Sequence, residues 1–379
     1  MNKFNIIVSI IFLVILIFKP LRGNDVIKNP EKPLSTNYGR VITVERAMTI
    51  TDENDDYFLK NPMFMKIAPD GCIYVMDQDQ VLKFTRDGKF VQNLFKVGLG
   101  PNEIANLDNY LVMEDNSVII HNYAPNKILH LDSKCNTLEE IRLPFERYTG
   151  ILHVDKANYF FVGLSSSSDK KALQPRVVEL DQQILAVSKS DYSITKKFTL
   201  PLKAYMIETP VGSALTKMHY LLDSRLRDDL FFFSSSHEYA IKLFDLNGNT
   251  PIREFSREYK RVKVTEETKE FVLRGGFNIK GKMYDSPIPE FLDDIQSLHV
   301  VNDKLLVVTS TVDRQKGVLV DVFNENGQYL DCFYLKFAGK GLHYDLIHAK
   351  LAIKKDAAYL IEKDIDENWI ISKYPLVLK

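Results

Sequence analysis

The sequence feature that most constrains the fold is a degenerate unit of short apolar strands and turns that recurs along the chain. The clearest copy occupies residues 67–95 and contains the turn sequences Pro69-Asp70-Gly71 and Asp87-Gly88. Around these turns, apolar and polar residues alternate with a period of two, which is typical of strands with one buried face. Glycine supplies the positive φ angle that tight hairpins require. The unit therefore predicts a small antiparallel sheet.

Looser copies of this unit follow along the rest of the chain. They occupy residues 111–136, 151–195, 229–249, 295–328 and 349–373. The turns Asp87-Gly88-Lys89, Asn247-Gly248-Asn249 and Asn326-Gly327-Gln328 each follow an apolar strand at the same place in the unit. Copies of about four short strands, spaced by roughly 40–80 residues, form the pattern of propeller blades with insertions. We therefore predict an all-β, six-bladed β-propeller with four-stranded antiparallel blades over residues 39–379.

The two ends of the chain complement each other. The sixth copy of the unit lacks an obvious last strand, whereas Gly39–Arg46 (GRVITVER) is a strand-like run outside any copy. An open ring would expose sheet edges, and propellers avoid this by closing the ring. We therefore predict that the N-terminal strand Gly39–Arg46 completes the sixth blade.

One segment breaks the strand pattern between the fourth and fifth copies. Thr265–Arg274 (TEETKEFVLR) begins with a capping-type threonine followed by acidic residues, and it ends at Gly275-Gly276. This pattern is typical of a short helix. We predict that residues 256–290 form an insertion that carries this helix, on a face where repeat folds often bind their partners.

The N-terminal residues predict export from the cytoplasm. The apolar run Ile6–Phe18 follows a short basic start, and it is shorter than the ~20 residues that span a bilayer. We predict a signal peptide over residues 1–23 and a linker over residues 24–38, and we expect a periplasmic, secreted or cell-surface protein. The basic residues Lys19 and Arg22 after the run leave an uncleaved N-terminal anchor as the alternative.

Charge and cysteine content argue against two classes of function. Residues 1–23 carry three basic residues and no acidic one, so their removal takes the formal net charge from −1 to −4. Nucleic-acid binding depends on a basic surface, so we expect no nucleic-acid partner. Cys72, Cys135 and Cys332 form no CxxC pair and lie in different copies of the unit. This spacing excludes zinc-ribbon and thioredoxin-like sites and predicts free thiols, although an exported protein could form one bridge.

Three motifs resemble a family of six-bladed β-propellers that is common among exported bacterial proteins and is itself similar to NHL-repeat propellers. The motifs are Ile73–Asp77 (IYVMD), Phe84–Phe90 (FTRDGKF) and Val97–Ile104 (VGLGPNEI). The third motif corresponds to the family sequence GxGPGEF and contains Gly98, Gly100, Pro101 and Glu103. Asn102 replaces a family glycine and also tolerates a left-handed backbone, and Ile104 replaces the phenylalanine. The resemblance implies the propeller fold but no particular activity. We interpret the third motif as a connection between blades in which Glu103 accepts backbone N–H groups.

The sequence contains no local catalytic or metal-binding motif. Its histidines are His121, His130, His153, His219, His237, His299, His343 and His348. They form no HxH, HExxH or HxxxH motif, and Ser165–Ser168 is a polar loop rather than part of a GxSxG nucleophile elbow. We therefore assign no catalytic, cofactor-binding or metal-binding residue, and no cofactor is evident. Four aspartates recur at similar positions in different copies, which predicts a structural role at strand ends or turns: Asp77, Asp132, Asp245 and Asp321.

These observations lead to two expectations about function. The first is a non-catalytic binding or scaffold module that holds a protein, peptide or glycan partner through the insertion and the mouth of the central channel. The alternative is a propeller hydrolase or lyase with a metal near the channel, held by histidines or acids from different blades. Three or more such side chains converging on the channel would favour the enzyme. We expect a monomer that contacts a membrane only through its N-terminal segment.

Overall fold

β-Strands form almost all of the regular structure. The computed structural model describes residues 26–378 except residues 53–55, 145–149, 166–175, 210–211, 219–220, 228, 248–249, 273–276, 280, 285–287 and 341–349. The predicted signal peptide or anchor over residues 1–23 lies outside the described residues. In the part of the chain that the structure describes, no helix is long and apolar enough to cross a membrane. Among the described residues, three strands precede the first blade: β1 (Val26–Asn29), β2 (Arg40–Val44) and β3 (Met48–Ile50).

Blades one and two are four-stranded antiparallel sheets. Blade one consists of β4 (Pro62–Ile67), β5 (Ile73–Asp77), β6 (Gln80–Phe84) and β7 (Phe90–Asn93). A short parallel pair follows, formed by β8 (Lys96–Val97) and β9 (Glu103–Ile104). Blade two consists of β10 (Leu107–Val112), β11 (Val118–Asn122), β12 (Lys127–Leu131) and β13 (Thr137–Arg142).

Blades three and four each carry a fifth strand. Blade three consists of β14 (Ile151–Val154), β15 (Asn158–Ser165), β16 (Arg176–Ser188), β17 (Ile194–Thr209) and β18 (Gly212–Met218). Blade four consists of β19 (Leu221–Arg227), β20 (Leu230–Ser235), β21 (Ile241–Asp245) and β22 (Thr250–Arg257), with β1 parallel to β22. The strand β1 lies within residues 24–38, so part of the predicted linker belongs to the propeller.

The insertion lies between blades four and five. Its helix α1 (Lys269–Val272) begins four residues after the predicted start at Thr265, because Thr268 bonds back to Thr265 and holds residues 265–268 in a turn. A hairpin that was not predicted follows, formed by β23 (Phe277–Ile279) and β24 (Lys282–Tyr284). Blade five then consists of β25 (Ile295–Val301), β26 (Lys304–Asp313), β27 (Gly317–Phe323) and β28 (Tyr329–Phe337).

The N-terminal strands close the ring differently from the prediction. Blade six contains β29 (Leu351–Lys354), β30 (Ala357–Lys363) and β31 (Trp369–Pro375). Its outer strand is β3, which pairs antiparallel with β31. The predicted closing residues Gly39–Arg46 instead contain β2, which pairs in parallel with β28 of blade five. The outer edge of blade five was therefore also available to β2. The short strand β3, which follows it in the sequence, forms the outer strand of blade six instead.

The core consists of one hydrophobic cluster at each interface between neighbouring blades. At the closing interface, Ile73 and Leu82 of blade one pack with Tyr359 and Ile371 of blade six, and all four side chains are buried. Full burial of such a side chain contributes about 1.5–3 kcal/mol to stability. The prediction of an all-β, six-bladed propeller is confirmed, because every blade packs on two neighbours and the last packs on the first.

Two faces of the propeller are distinguished below. The lower face carries the turns between the first and second and between the third and fourth strands of each blade. The upper face carries the other turns and the connections between blades, including the insertion and the long β17–β18 hairpin of blade three. The hairpin strand β18 lies against β23 of the insertion, so both projections stand together on the upper face.

Candidate functional site

The first strand of each blade lines the central channel, and charged side chains face each other there. Lys66 lies on β4 and Asp223 on β19, in blades one and four, which are opposite each other in a six-bladed ring. Enclosure by the channel walls raises the pKa of Asp223, and Lys66 partly opposes this rise. Burial likewise lowers the pKa of Lys66, with Asp223 acting in the opposite direction. The channel thus holds a cation and an acid that favour each other's charge.

His299 also lies on a first strand, β25, but both of its ring nitrogens are engaged. Its Nδ1 accepts the backbone N–H of Ile353 at 3.3 Å, and its Nε2 lies 2.8 Å from Ser297 Oγ. The proton of the neutral ring is therefore on Nε2. Burial lowers the pKa of His299 to about 4, so the ring is uncharged at neutral pH. His299 acts as a link between blades five and six rather than as a free ligand.

A cavity of about 510 Å³ opens on the lower face between blades three and four, and we call it the lower cavity. It is lined by His153, Val154, Asp155, Lys156, Ala157, Asn158, Arg225, Asp229 and Asn247. These residues come from the end of β14 and the turn after it, from β19, and from the two lower turns of blade four. The sequence folds this way because aspartate and asparagine favour turns, and Asp155 accepts the backbone N–H groups of Ala157 and Asn158.

A histidine–carboxylate pair joins the two blades in the lower cavity. His153 Nε2 lies 3.3 Å from Asp229 Oδ1, and Asn247 Nδ2 donates to the other carboxylate oxygen. The imidazole is wedged between Phe160 and Phe231, with ring centroids 5.5 and 5.1 Å away. Its position is therefore fixed by packing on two sides and by a hydrogen bond on a third.

The electrostatic surroundings keep His153 neutral. Burial lowers its pKa, the nearby guanidinium of Arg225 lowers it further, and Asp229 opposes both effects. The lower cavity then presents two cations, a neutral imidazole, carboxylates and amides, so hydrogen-bond donors and acceptors are both available.

Arg225 connects the lower cavity to the channel and to a third blade. Its Nη1 lies 3.6 Å from Oε1 of Glu114, which stands in the lower turn of blade two. Asp223 is two residues before Arg225 on the same strand, so both side chains project to the same side. A row of charged groups therefore leads from the lower cavity into the channel, and we treat the two together as the candidate site.

The sequence prediction of the site was incomplete. It named His153 and His299 only as members of the histidine set and Asn247 only as a turn residue, and it did not single out Asp229 or Arg225. His153 and Asp229 are 76 residues apart, so no local motif connects them. Among the described residues, no group of three or more His, Cys, Asp or Glu side chains is placed to hold a metal ion. His219, His343 and His348 lie outside the described residues.

The motif residues Gly98, Gly100, Pro101 and Glu103 lie on the upper face, in the connection between blades one and two. Glu103 Oε2 accepts the backbone N–H of Gly100 at 2.8 Å. A Cβ atom on Gly98 would lie 2.1 Å from that carboxylate oxygen, so any other residue there would have to displace the Glu103 side chain. The Lys127 ammonium donates to the backbone carbonyl of Glu103. This part of the family motif folds a loop and does not contribute to the lower cavity.

The four recurring aspartates have two different roles. Asp77 accepts the N–H groups of Lys60 and Asn61, at 2.6 and 2.9 Å. Asp132 and Asp245 accept N–H groups within their own turns. Asp321 is different, because it forms a buried ion pair with Arg257 of blade four. Repetition in the sequence thus corresponds to acceptance of backbone N–H groups at three of the four positions.

The ring of six blades and its polar channel define the class of protein as a six-bladed β-propeller. The chain belongs to family DUF5128, described as a 6-bladed beta-propeller, whose family model matches residues 52–243. No curated protein matches the sequence.

Solved structures are similar to this chain at low sequence identity. A protein described as exported, from Bacteroides fragilis, is 14% identical with a TM-score of 0.51, and the match covers 93% of this chain and all of that one. A DUF4221 family member from Bacteroides vulgatus is 10% identical with a TM-score of 0.46, over 90% of this chain and 99% of its own. Virginiamycin B lyase from Staphylococcus aureus is 12% identical with a TM-score of 0.43, over 87% and 99%.

Proposed function

We propose that the protein is an exported, non-catalytic binding module that holds an extended peptide segment of a protein partner in the lower cavity. The observation that carries this proposal is the lower cavity itself, a space of about 510 Å³ between two blades at the channel mouth. Its volume falls in the range of about 300–1,000 Å³ that is usual for small-ligand sites. The apolar N-terminal segment supports a location outside the cytoplasm.

The chemistry of the lining favours a peptide. A peptide backbone presents N–H donors and C=O acceptors in alternation. Arg225 and Lys156 can donate to such a segment, and Asp155 and Asp229 can accept from it. The described lining contains no Phe, Tyr or Trp on which a sugar ring could stack. Asp229 is held by His153 and Asn247, which supports a role in shaping the cavity rather than in chemistry.

The test is selection of peptides by the full-length protein from a random-peptide display library. Selected peptides are then measured for affinity to the wild type, to Arg225→Ala and to the matched control Arg314→Ala. Arg314 is exposed on the upper face, where it pairs with Glu267 at 2.7 Å. We expect at least tenfold weaker binding by Arg225→Ala and unchanged binding by Arg314→Ala, because a cavity hydrogen bond to a charged group contributes about 1.5–3 kcal/mol.

Other outcomes would overturn the proposal. Equal peptide affinities of Arg225→Ala and Arg314→Ala would show that the peptide binds outside the lower cavity. If no peptide is recovered and the protein instead binds a glycan, and Arg225→Ala abolishes that binding, the ligand of the lower cavity is a sugar. Cleavage or modification of a bound peptide by the wild type would contradict a non-catalytic role.

A further inference from the structure

A second cavity, of about 530 Å³, opens on the upper face between blades four and five, and we call it the upper cavity. It is lined by Glu31, Arg257, Glu258, Tyr259, Lys260, Thr311, Leu319 and Tyr334. Its residues come from the segment after β1, from the end of β22, from the start of the insertion and from three strands of blade five. It shares no residue with the lower cavity and lies at the opposite face.

The floor of the upper cavity is a rigid guanidinium. Arg257 Nε donates to Asp321 Oδ2 at 2.7 Å, and Nη1 donates to the carbonyl of Glu258 at 2.8 Å. The Arg257 side chain is only 5% exposed. Three tyrosine rings surround it, with centroids 4.9–5.4 Å from its central carbon: Tyr239, Tyr259 and Tyr329. Nη2 makes no hydrogen bond to any residue that the structure describes, so it remains a fixed donor for a ligand.

The walls of the upper cavity are aromatic and apolar. Leu319 and Tyr334 are directly opposite each other on β27 and β28, so their side chains stand on the same face of blade five. Both are half-buried. Tyr259 of the insertion faces them across the gap, and its hydroxyl lies 3.1 Å from Thr311 Oγ1. These side chains give a ligand two phenol rings to lie on, with a polar atom at the edge of each.

The upper cavity carries charges of both signs. Its cations are Arg257 and Lys260, and its carboxylates are Glu31 and Glu258. Glu31, Glu258 and Lys260 are exposed and form the rim. Arg257 is already compensated by Asp321, which lies outside the cavity lining. With that pair neutral, one cation and two carboxylates remain at the rim, so the cavity does not favour an anion, and it offers both donors and acceptors.

We propose that the upper cavity is a binding site for neutral carbohydrate. A sugar ring has an apolar C–H face, which suits Tyr259 and Tyr334, and hydroxyls that both donate and accept, which suits Arg257 and the mixed rim. The fixed guanidinium receives the ligand without losing side-chain entropy, because its rotamer is already held by three rings and two hydrogen bonds. This site is independent of the peptide proposed for the lower cavity.

The experiment measures binding of neutral tetrasaccharides to the full-length protein by titration calorimetry. The probes are cellotetraose, maltotetraose, mannotetraose and chitotetraose, with tetragalacturonate as the acidic comparison. The variants are Tyr334→Ala and Lys260→Ala, and the matched control is Tyr123→Ala, an exposed tyrosine in the β11–β12 turn. Thermal unfolding of each variant shows that the fold is retained.

We expect at least one neutral tetrasaccharide to bind with a Kd below 1 mM. Tyr334→Ala should weaken this binding at least tenfold and Lys260→Ala about threefold, whereas Tyr123→Ala should leave it unchanged. If Tyr334→Ala destabilises the fold, Lys260→Ala alone decides. The proposal is overturned if no neutral probe binds at millimolar concentration, if tetragalacturonate binds more tightly than every neutral probe, or if the cavity variants behave like Tyr123→Ala. Loss of peptide binding through Arg225→Ala would leave these results unaffected.

Discussion

Arg257 of blade four and Asp321 of blade five form an ion pair with a distance of 2.7 Å between Nε and Oδ2. The Asp321 side chain is completely buried, and its two oxygens also accept the hydroxyls of Tyr239 and Tyr329, at 2.5 and 2.6 Å. Every acceptor is thus satisfied, and the pair ties two blades together at the floor of the upper cavity. A buried charge of this kind destabilises the folded protein when its partner of opposite charge is removed.

Asp321→Asn should therefore destabilise the protein strongly. The substitution leaves the guanidinium of Arg257 buried without a counter-charge, which costs about 3–5 kcal/mol in the free energy of unfolding. Urea denaturation followed by tryptophan fluorescence and circular dichroism measures this loss. The matched control is Glu325→Gln, since Glu325 pairs with Arg227 at 2.6 Å but both side chains are exposed. Glu325→Gln should lower the free energy of unfolding by about 0–1 kcal/mol. If both variants lose the same free energy of unfolding, burial of the ion pair does not determine its contribution.

The stability of the protein should fall as the pH decreases from about 6.5 to 4. His299 has a folded-state pKa of about 4, below its ordinary value near 6.5, because the folded protein buries the ring. In this window the unfolded chain binds a proton that the folded chain does not, so the free energy of unfolding decreases by up to about 3 kcal/mol. Denaturation at pH 7, 5.5 and 4 measures the slope. His299→Asn should reduce the dependence of the free energy of unfolding on pH. An unchanged dependence would show that other titratable groups cause it.

Gly98→Ala should destabilise the connection between blades one and two. The added methyl group would meet the Glu103 carboxylate and displace it from the N–H of Gly100, at a cost of about 1–3 kcal/mol. Glu103→Ala removes the colliding group, so a double-mutant cycle distinguishes collision from other effects. We expect Gly98→Ala to cost less in the Glu103→Ala background than in the wild type. Additive losses in thermal or urea unfolding would contradict this explanation.

Asn29→Ala should loosen the attachment of β1. The Asn29 amide donates to the carbonyls of Ser256 and Gly327, both at 2.9 Å, and its oxygen accepts the N–H of Tyr329 at 3.0 Å. Loss of these three bonds should cost about 2–3 kcal/mol. Hydrogen exchange should accelerate at Tyr329 before it changes in the inner strands. The control Asn37→Ala, an exposed side chain, should have no measurable effect, and uniform acceleration would indicate global rather than local opening.

Local signals in the sequence were sufficient to predict the blades. The Asp87-Gly88 turn and its counterpart at Asn326-Gly327 identify hairpins, because glycine at positive φ and period-two alternation are properties of a few adjacent residues. The same signals could not assign Gly39–Arg46 to blade five. A lone strand fits any free edge of matching polarity, and here the adjacent strands β2 and β3 occupy the outer edges of two different blades, five and six.

The candidate site was harder to predict because ring geometry assembles it. Asp229 reaches His153 from the next blade, and Arg225 reaches Glu114 across blade three. Each of these residues alone is an ordinary turn or strand residue. Only the curvature of the ring brings them together, and curvature results from the packing of all the blades. The upper cavity could not be predicted from the sequence for the same reason, since Arg257 and Asp321 are 64 residues apart.

The N-terminal strands β1, β2 and β3 join the outer edges of blades four, five and six in turn. Some of the bonds that hold them span 300 residues of sequence, as between Asn29 and Tyr329. During synthesis, β1, β2 and β3 therefore emerge from the ribosome long before the strands with which they pair. Such long-range pairing folds slowly, and it leaves unpaired edges open to wrong partners in the meantime. A chain built in this way gains its final stability in one late step, when its beginning and its end meet.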